Sequence, residues 1–310
     1  MEKQTGCVHI YCGDGKGKTT CGMGLCTRAA GYGYRVLIYQ FMKDNSTSER
    51  KVLLLSPNVT FVPGQDKIKF SFLMTPEEKA EQKRYYEEQF QKVTEKAVQE
   101  EYDVLFLDEL PEFDKSALET LRQPLEDGFV TITRAAGTLT LPSRFMLVCA
   151  MNPCKCGWYG HPSGRCTCSE NQVEQYMRRI SGPLLDRIDM YIEVPSVEYE
   201  AMRRKDTPES SAVIRQRVNA AREVQKQRFA GTEVSCNAYM TPAMIGRYCQ
   251  LDGAGERLMQ GAFDRLGLTG RSHDRILRMA RTIADLEGSE HIEASHLAEA
   301  IQFRSSGILK

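Results

Sequence analysis

The chain has 310 residues, which is long enough for one large domain or two smaller ones, each with its own core. Lysine plus arginine (41) equals aspartate plus glutamate (41), so bulk charge does not indicate a nucleic-acid or membrane partner. The longest apolar runs are about strand length and the amino terminus lacks a signal pattern, which predicts a soluble cytoplasmic protein that contacts no membrane.

A glycine-rich loop follows the first predicted strand, at residues 7–12. The loop Gly13–Thr20 reads Gly-Asp-Gly-Lys-Gly-Lys-Thr-Thr, and a helix is predicted at Thr19–Ala30. In such a loop backbone N–H groups surround phosphate oxygens, a lysine adds charge and the next hydroxyl binds Mg²⁺. The strict motif has glycine where this chain has Cys12, so a glycine-rich turn without nucleotide is the alternative. The candidate ATP-binding residues are Gly13, Asp14, Gly15, Lys16, Gly17, Lys18, Thr19 and Thr20.

A second strand is predicted at Arg35–Gln40, after a short turn that gives the right-handed crossover of a parallel sheet. Residues 56–76 are rich in proline and are predicted to be irregular. Thr75 then caps a long, highly charged helix that runs to about Glu101. The charges of this helix are expected to form a solvated face.

Two adjacent carboxylates end the next apolar run. Val104–Leu107 leads directly into Asp108 and Glu109, as a buried parallel strand does when it delivers acids to the carboxyl edge of a sheet. Thr19 and, through water, Asp108 are the candidate Mg²⁺ ligands, and Glu109 is the candidate that polarises an attacking water. Adjacent acids are common, so a pair without this role is the alternative.

The remaining sequence predicts a hairpin, two more strands and a helical carboxyl-terminal region. The predicted elements are a short helix at Ser116–Leu125, a hairpin at 128–141, strands at Arg144–Ala150 and Met190–Val194, a linker at Asp206–Ser211, a helix to about Phe229 capped by Ser210 or Ser211, and helices at 242–249, 253–266, 272–287 and 294–303.

Four of the eleven cysteines form a Cys-x-Cys-x9-Cys-x-Cys array. This clustering in an intracellular protein indicates metal before disulfides. Four thiolates suit a tetrahedral structural zinc site and leave no open position for catalysis. Four reduced thiols in a surface loop are the alternative. The candidate zinc ligands are Cys154, Cys156, Cys166 and Cys168.

Several segments of the first third match one family pattern. They are Gly13–Thr20, Arg28–Gly33, Val36–Lys43 with its Gln-Phe-x-Lys end, and Tyr102–Glu109. Through them, residues 5–109 resemble the first half of an ATP:corrinoid adenosyltransferase. The resemblance implies that the loop binds the triphosphate of ATP and that a corrinoid, as Co(I), is the substrate that accepts the adenosyl group. The chain does not continue with that family's second half.

The remainder of the chain matches another pattern. Its segments are Leu105–Phe113, Ala150–Cys154, Ser181–Asp189 and Ala280–Gly288. Through them, residues 104–306 resemble the carboxyl-terminal two-thirds of the ComM-type, magnesium-chelatase-like AAA+ ATPases. That family's own phosphate loop is absent and the adenosyltransferase-like half supplies another. The chain is therefore interpreted as a fusion at a shared strand.

The AAA+ resemblance implies roles for three residues that act on ATP. Asn152 is the first sensor, with a turn asparagine at a strand end as the alternative. Arg187 is the arginine finger toward a neighbouring subunit, with a surface salt bridge to Asp186 or Asp189 as the alternative. Arg271, which opens a lid helix, matches the second sensor.

The same resemblance implies a homo-oligomeric ring whose pore is faced by the hairpin 129–142. Arg134, near the hairpin tip, is then the candidate contact to DNA.

These observations predict an α/β fold, a P-loop parallel sheet with helices on both faces, followed by a small all-helical lid. The expected division is a P-loop half at 1–109, a second half of the core at 104–195, a linker at 196–211 and the lid at 212–310. Three functions remain open: an AAA+ ATPase that hydrolyses MgATP, a corrinoid adenosyltransferase of cobalamin biosynthesis, and an inert fusion that only binds nucleotide.

Overall fold

The computed structural model describes residues 9–12, 17–41, 43, 45–65, 74–134, 137–194 and 209–304. They form two compact units. The first contains the described residues up to Ile188 together with 192–194, and the second contains Asp189–Tyr191 and 209–304. Within the described ranges, no helix is both long and apolar enough to cross a membrane.

Strands from both halves of the sequence form one sheet in the order β3-β2-β4-β7-β1-β8. The pairings that join β3, β2, β4, β7 and β1 are all parallel. The hairpin forms a separate antiparallel sheet of β5 and β6. The strands are β1 (His9–Cys12), β2 (Val36–Gln40), β3 (Val59–Phe61), β4 (Val104–Asp108), β5 (Phe129–Arg134), β6 (Gly137–Pro142), β7 (Met146–Ala150) and β8 (Met190–Glu193).

Helices connect these strands and build the second unit. Those before β8 are α1 (Lys18–Gly31), α2 (Ser48–Leu53), α3 (Pro76–Gln99), α4 (Lys115–Glu119), α5 (Arg122–Asp127), α6 (Glu170–Met177) and α7 (Gly182–Leu185). Those after β8 are α8 (Ser211–Arg228), α9 (Pro242–Tyr248), α10 (Gly253–Leu266), α11 (Gly270–Glu287) and α12 (Ala294–Gln302). The predicted α/β fold with a helical carboxyl-terminal region is confirmed.

Most predicted elements are confirmed, and their caps explain where they begin. Thr75 and Glu78 cap α3 reciprocally, each accepting the other's backbone N–H, and Ser210 accepts from Val213 at the start of α8. Two predictions were wrong. Residues 56–76, predicted to be irregular, contain the short edge strand β3. The single helix predicted at Ser116–Leu125 is two short helices, α4 and α5.

The two faces of the sheet are covered by helices of the first half. On one face, Met23 and Cys26 of α1 pack with Phe106 of β4 in a buried cluster. On the other, Phe113 contacts both Phe90 of α3 and Tyr39 of β2, at ring-centroid distances of 4.9 Å and 5.8 Å. Successive residues of β2 alternate between these faces, as a pleated strand requires. Phe106 belongs to the strand that the two halves share, and Val148 of β7, which lies beyond it, packs in the same buried cluster as Met23, so the two halves share one core.

Gly22 of α1 lies directly against Phe106. A Cβ added at Gly22 would stand 2.4 Å from Cε2 of that ring, whereas Gly24 of the same helix is exposed and its added Cβ meets no described atom within 4 Å. We expect Gly22→Ala to destabilise the chain by about 1–3 kcal/mol through overpacking. Gly24→Ala is the matched control and is expected to stabilise by about 0.5–1 kcal/mol, because alanine restricts the unfolded chain.

Thermal unfolding followed by circular dichroism checks this pair of variants. A Tm of Gly22→Ala equal to or above that of the parent would contradict the packing of α1 on β4.

Candidate functional site

The first turn of α1 brings a hydroxyl to the end of β4. Thr19 Oγ1 donates to Asp108, at 3.2 Å from Oδ1 and 3.3 Å from Oδ2. Asp108 is the last residue of β4 and is only 1% exposed. Hydroxyl and carboxylate oxygens are hard ligands of the kind that Mg²⁺ prefers. The two candidate Mg²⁺ ligands therefore lie together, and their chemistry fits that ion.

The loop before α1 is described only from Gly17 onward. The predicted ATP contacts of Gly13, Asp14, Gly15 and Lys16 lie outside the described residues. Gly17 has φ +124°, a backbone conformation that residues with a side chain rarely adopt. Lys18 and Thr20 lie in the first turn of α1, where backbone N–H groups and the helix dipole favour an anion. The described part of the loop is thus suited to bind phosphate.

Two side chains outside the predicted site residues also reach Asp108. Lys43 Nζ lies 2.6 Å from Oδ2 of Asp108, and Gln40 Nε2 donates to the same oxygen at 3.4 Å. Gln40 stands opposite Asp108 in the pairing of β2 with β4, so residues after β2 emerge at the same sheet edge. The available signal was the polar Gln-Phe-x-Lys end of an apolar strand, but strand order was needed to interpret it.

Glu109 is held at the same edge in an unusual backbone conformation. Its φ is 58°, a left-handed value that is costly for a residue other than glycine and is typical of functional sites. Asn152, just after β7, donates through Nδ2 to Glu109 Oε2 at 2.8 Å. Burial, and then the charge of Asp108, raise the pKa of Glu109 to about 7, while Lys43 and Lys18 act to lower it. Near neutral pH this carboxyl can both release and accept a proton, as general-base chemistry requires.

Arg187 lies in the first unit as a buried cation. It is 5% exposed, pairs with Glu126 next to β5 and donates to the carbonyl oxygen of Pro183 at 2.7 Å. The alternative predicted from the sequence was a surface salt bridge to Asp186 or Asp189, and it named neither Glu126 nor the burial of Arg187. The predicted reach of Arg187 to a neighbouring subunit stays a prediction.

Arg271 lies in the second unit, exposed in the first turn of α11, where Thr269 caps the helix by accepting from Ser272. Its predicted sensor role also stays a prediction. Of the hairpin, the tip at 135–136 and the side chain of Arg134 lie outside the described residues.

The four cysteines of the array come together after β7. All four Sγ atoms lie within 4.8 Å of one another, with Cys154–Cys156 at 3.3 Å, Cys154–Cys166 at 3.9 Å and Cys156–Cys166 at 3.6 Å. Zinc–sulfur bonds of about 2.3 Å in a tetrahedron place sulfurs roughly 3.8 Å apart, so the cluster fits the ion. Although burial acts to raise it, hydrogen bonds with the backbone of Trp158 and Thr167 lower the pKa of Cys156 to about 6. One thiolate is therefore available near neutral pH.

The parallel sheet, the glycine loop that opens into α1 and the acids at the end of β4 define the first unit as a P-loop α/β fold.

Comparison with known families matches different parts of the chain to different families. Residues 4–121 match the family described as ATP:corrinoid adenosyltransferase BtuR/CobO/CobP. Residues 95–202 match magnesium chelatase, subunit ChlI, and residues 208–304 match its carboxyl-terminal region. The first two matches overlap over 95–121, which contains β4. The predicted hybrid of an adenosyltransferase-like and a magnesium-chelatase-like, AAA+-type segment is confirmed.

Individual relatives show the same division. The competence protein ComM of Haemophilus influenzae is 44% identical over 203 residues, which are 65% of this chain and 39% of that protein. The uncharacterized protein YifB of Escherichia coli K12 is 41% identical over the same shares. The corrinoid adenosyltransferase of Escherichia coli K12 is 37% identical over 60 residues, 19% of this chain and 31% of that protein. The chain spans about two fifths of the length of its ComM-like relatives.

Proposed function

We propose that the chain binds MgATP at the carboxyl edge of its sheet and hydrolyses it to ADP and phosphate, as an AAA+-type ATPase. One observation carries this proposal: residues of both halves meet at one sheet edge. Thr19, from the adenosyltransferase-like half, donates to Asp108, and Asn152, from the magnesium-chelatase-like half, donates to Glu109. Catalysis needs such groups to be held to about half an ångström, and groups positioned by strand ends and a helix are held more precisely than groups on loops.

Each of these residues has a proposed role. The N–H groups of the loop and Lys18 bind the phosphates, and Thr19 with Asp108 would hold Mg²⁺. When bound, Mg²⁺ supplies charge neutralisation for the transferred phosphoryl group. Glu109 accepts the proton of the attacking water, and Asn152 holds the Glu109 carboxylate in position while its amide remains close to that water.

The AAA+ resemblance extends the proposal to a ring of identical chains. Arg187 would act on the nucleotide of the neighbouring subunit and Arg271 on the nucleotide of its own. The hairpin 129–142, with Arg134, would face DNA in the pore. The finger role requires Arg187 to leave Glu126, so we expect ring formation to depend on nucleotide. Light scattering with and without ATP and Mg²⁺ measures this, and a monomer under both conditions would contradict it.

The second candidate function is adenosyl transfer to a corrinoid. It is favoured by the match of residues 4–121, which includes the loop, β2 and β4. In that reaction ATP loses its triphosphate as a unit and the adenosyl carbon bonds to Co(I). The two functions therefore yield different products from the same nucleotide.

Analysis of those products tests the proposal. The chain is incubated with MgATP, with and without reduced cobalamin, and phosphate products are separated by ion-exchange chromatography. We expect ADP and phosphate without corrinoid, and none of either from a Lys18→Ala preparation purified in parallel, which reports contaminating ATPases. Triphosphate formed only with Co(I) corrinoid would favour the second function. No product under either condition would favour a fusion that only binds nucleotide.

We also propose that the four cysteines hold a structural Zn²⁺. The support is the spacing of the sulfurs, which suits a tetrahedral ion, together with the loop in which they lie, since none of residues 155–168 belongs to a helix or strand. Four thiolates around one Zn²⁺ stabilise such a loop directly.

A further inference from the structure

Lys43 contacts the carboxylate that is proposed to hold Mg²⁺. Its ammonium lies 2.6 Å from Oδ2 of Asp108, and its side chain is 29% exposed, whereas that of Asp108 is 1% exposed. Neither the loop motif nor the acidic strand end assigns a role to this lysine. The contact is a partly buried ion pair at the centre of the candidate site.

The pair has an electrostatic reason. A buried carboxylate without a counter-charge is strongly destabilising, and Thr19 and Gln40 supply only neutral donors to Asp108. Lys43 supplies the positive charge. A divalent cation bound by Thr19 and Asp108 would supply the same charge to the same oxygens, so the two cations have a common partner.

The nearest described residues before and after Lys43, Phe41 and Asn45, make contacts of their own that fix their positions. Before it, Phe41 is buried and packs on Tyr86, with ring centroids 4.0 Å apart. After it, Asn45 bonds both backbone groups of Gly64, accepting from its N–H at 2.9 Å and donating to its carbonyl at 3.1 Å. Lys43 therefore approaches Asp108 from a position that packing at Phe41 and hydrogen bonds at Asn45 support.

We propose that Lys43 is the resident counter-cation of Asp108 and competes with Mg²⁺ for that carboxylate, so that it sets the Mg²⁺ requirement of nucleotide binding. The inference rests on the proposed MgATP site and adds a residue to it. A positive charge that must be displaced from the same carboxylate oxygens weakens the binding of a second cation there, and we expect an effect of about tenfold on Mg²⁺.

The test is a binding measurement without turnover. Fluorescence of mant-AMP-PNP gives the Mg²⁺ concentration at which nucleotide binding is half-maximal. In Lys43→Met, which keeps the length of the side chain and removes its charge, we expect this midpoint to fall about tenfold. Lys43→Arg keeps the charge and should restore the parent midpoint to within a few-fold. Lys51→Met is the matched control, an exposed lysine of α2, and should leave the midpoint unchanged.

The outcomes separate the inference from the function on which it rests. A parent chain that binds no mant-AMP-PNP at any Mg²⁺ concentration overturns both. A parent that binds, with an equal or higher midpoint in Lys43→Met, overturns the role of Lys43 alone. Tm values of the variants are measured alongside, and a purely structural ion pair would lower Tm in Lys43→Met without moving the midpoint.

Discussion

Replacing Glu109 by glutamine is expected to lower the rate of ATP hydrolysis by roughly 10²–10⁴-fold, the usual contribution of a general base. Glutamine has nearly the same shape but cannot accept the proton of the attacking water. Nucleotide binding is expected to persist, because the phosphate-binding loop, Thr19 and Asp108 are untouched. Phosphate release under single-turnover conditions and binding of mant-AMP-PNP measure the two effects separately.

The geometry around Glu109 explains why Glu112, the next acid along the chain, should not replace it. Its backbone has φ 58°, and its carboxylate accepts the amide of Asn152 at 2.8 Å. Glu112, three residues later, instead pairs with Arg179 at 2.9 Å. A residue in the left-handed region is maintained against a cost of about 1–3 kcal/mol, which is consistent with a functional demand on this side chain.

Glu112→Gln is therefore the matched control for Glu109→Gln. It removes a glutamate charge from the same short segment, and we expect its effect on turnover to be less than about tenfold because Glu112 bonds Arg179 rather than Asn152. Equal losses in both variants would indicate a general electrostatic effect, and normal turnover in Glu109→Gln would contradict the proposed role.

The sequence predicted those parts of the site that depend on local pattern. An apolar strand that ends in acids and a glycine loop between a strand and a helix place Asp108 and Thr19 at one edge, wherever the other strands lie. Asn152 was placed in the same way, at the end of the next buried strand. For each of these residues, the end of one strand or the start of one helix is enough to predict its position.

Contacts that depend on strand order or on long-range packing could not be predicted. Lys43 reaches Asp108 only because β2 is the neighbour of β4, and Arg187 meets Glu126 across 61 residues of sequence. Strand β3 was missed because three residues give too short a pattern, and its pairing with β2 stabilises it instead. In each case the deciding partner is distant in sequence.

Loss of the proposed Zn²⁺, by chelation or by substitution of a cysteine ligand, is expected to destabilise the chain strongly. We expect one Zn²⁺ per purified chain, and none in Cys154→Ser, because loss of one thiolate from four weakens a tetrahedral site severely. Cys154 is fully buried, so the serine hydroxyl that replaces its thiol would be buried without the metal bond that the thiolate made. A destabilisation of about 2–4 kcal/mol corresponds to a fall in Tm of roughly 4–16 °C for a unit of this size.

Cys21→Ser is the matched control, since Cys21 is an exposed cysteine of α1 outside the cluster. It should keep one Zn²⁺ and the parent Tm. Purified parent chain without metal, with four loop thiols that react freely, would contradict the site. Because Asn152 stands two residues before Cys154, loss of the metal should also loosen the hydrogen bond from Asn152 to Glu109. Turnover in Cys154→Ser should therefore fall at temperatures where the chain is still folded, which a metal remote from the site would not cause.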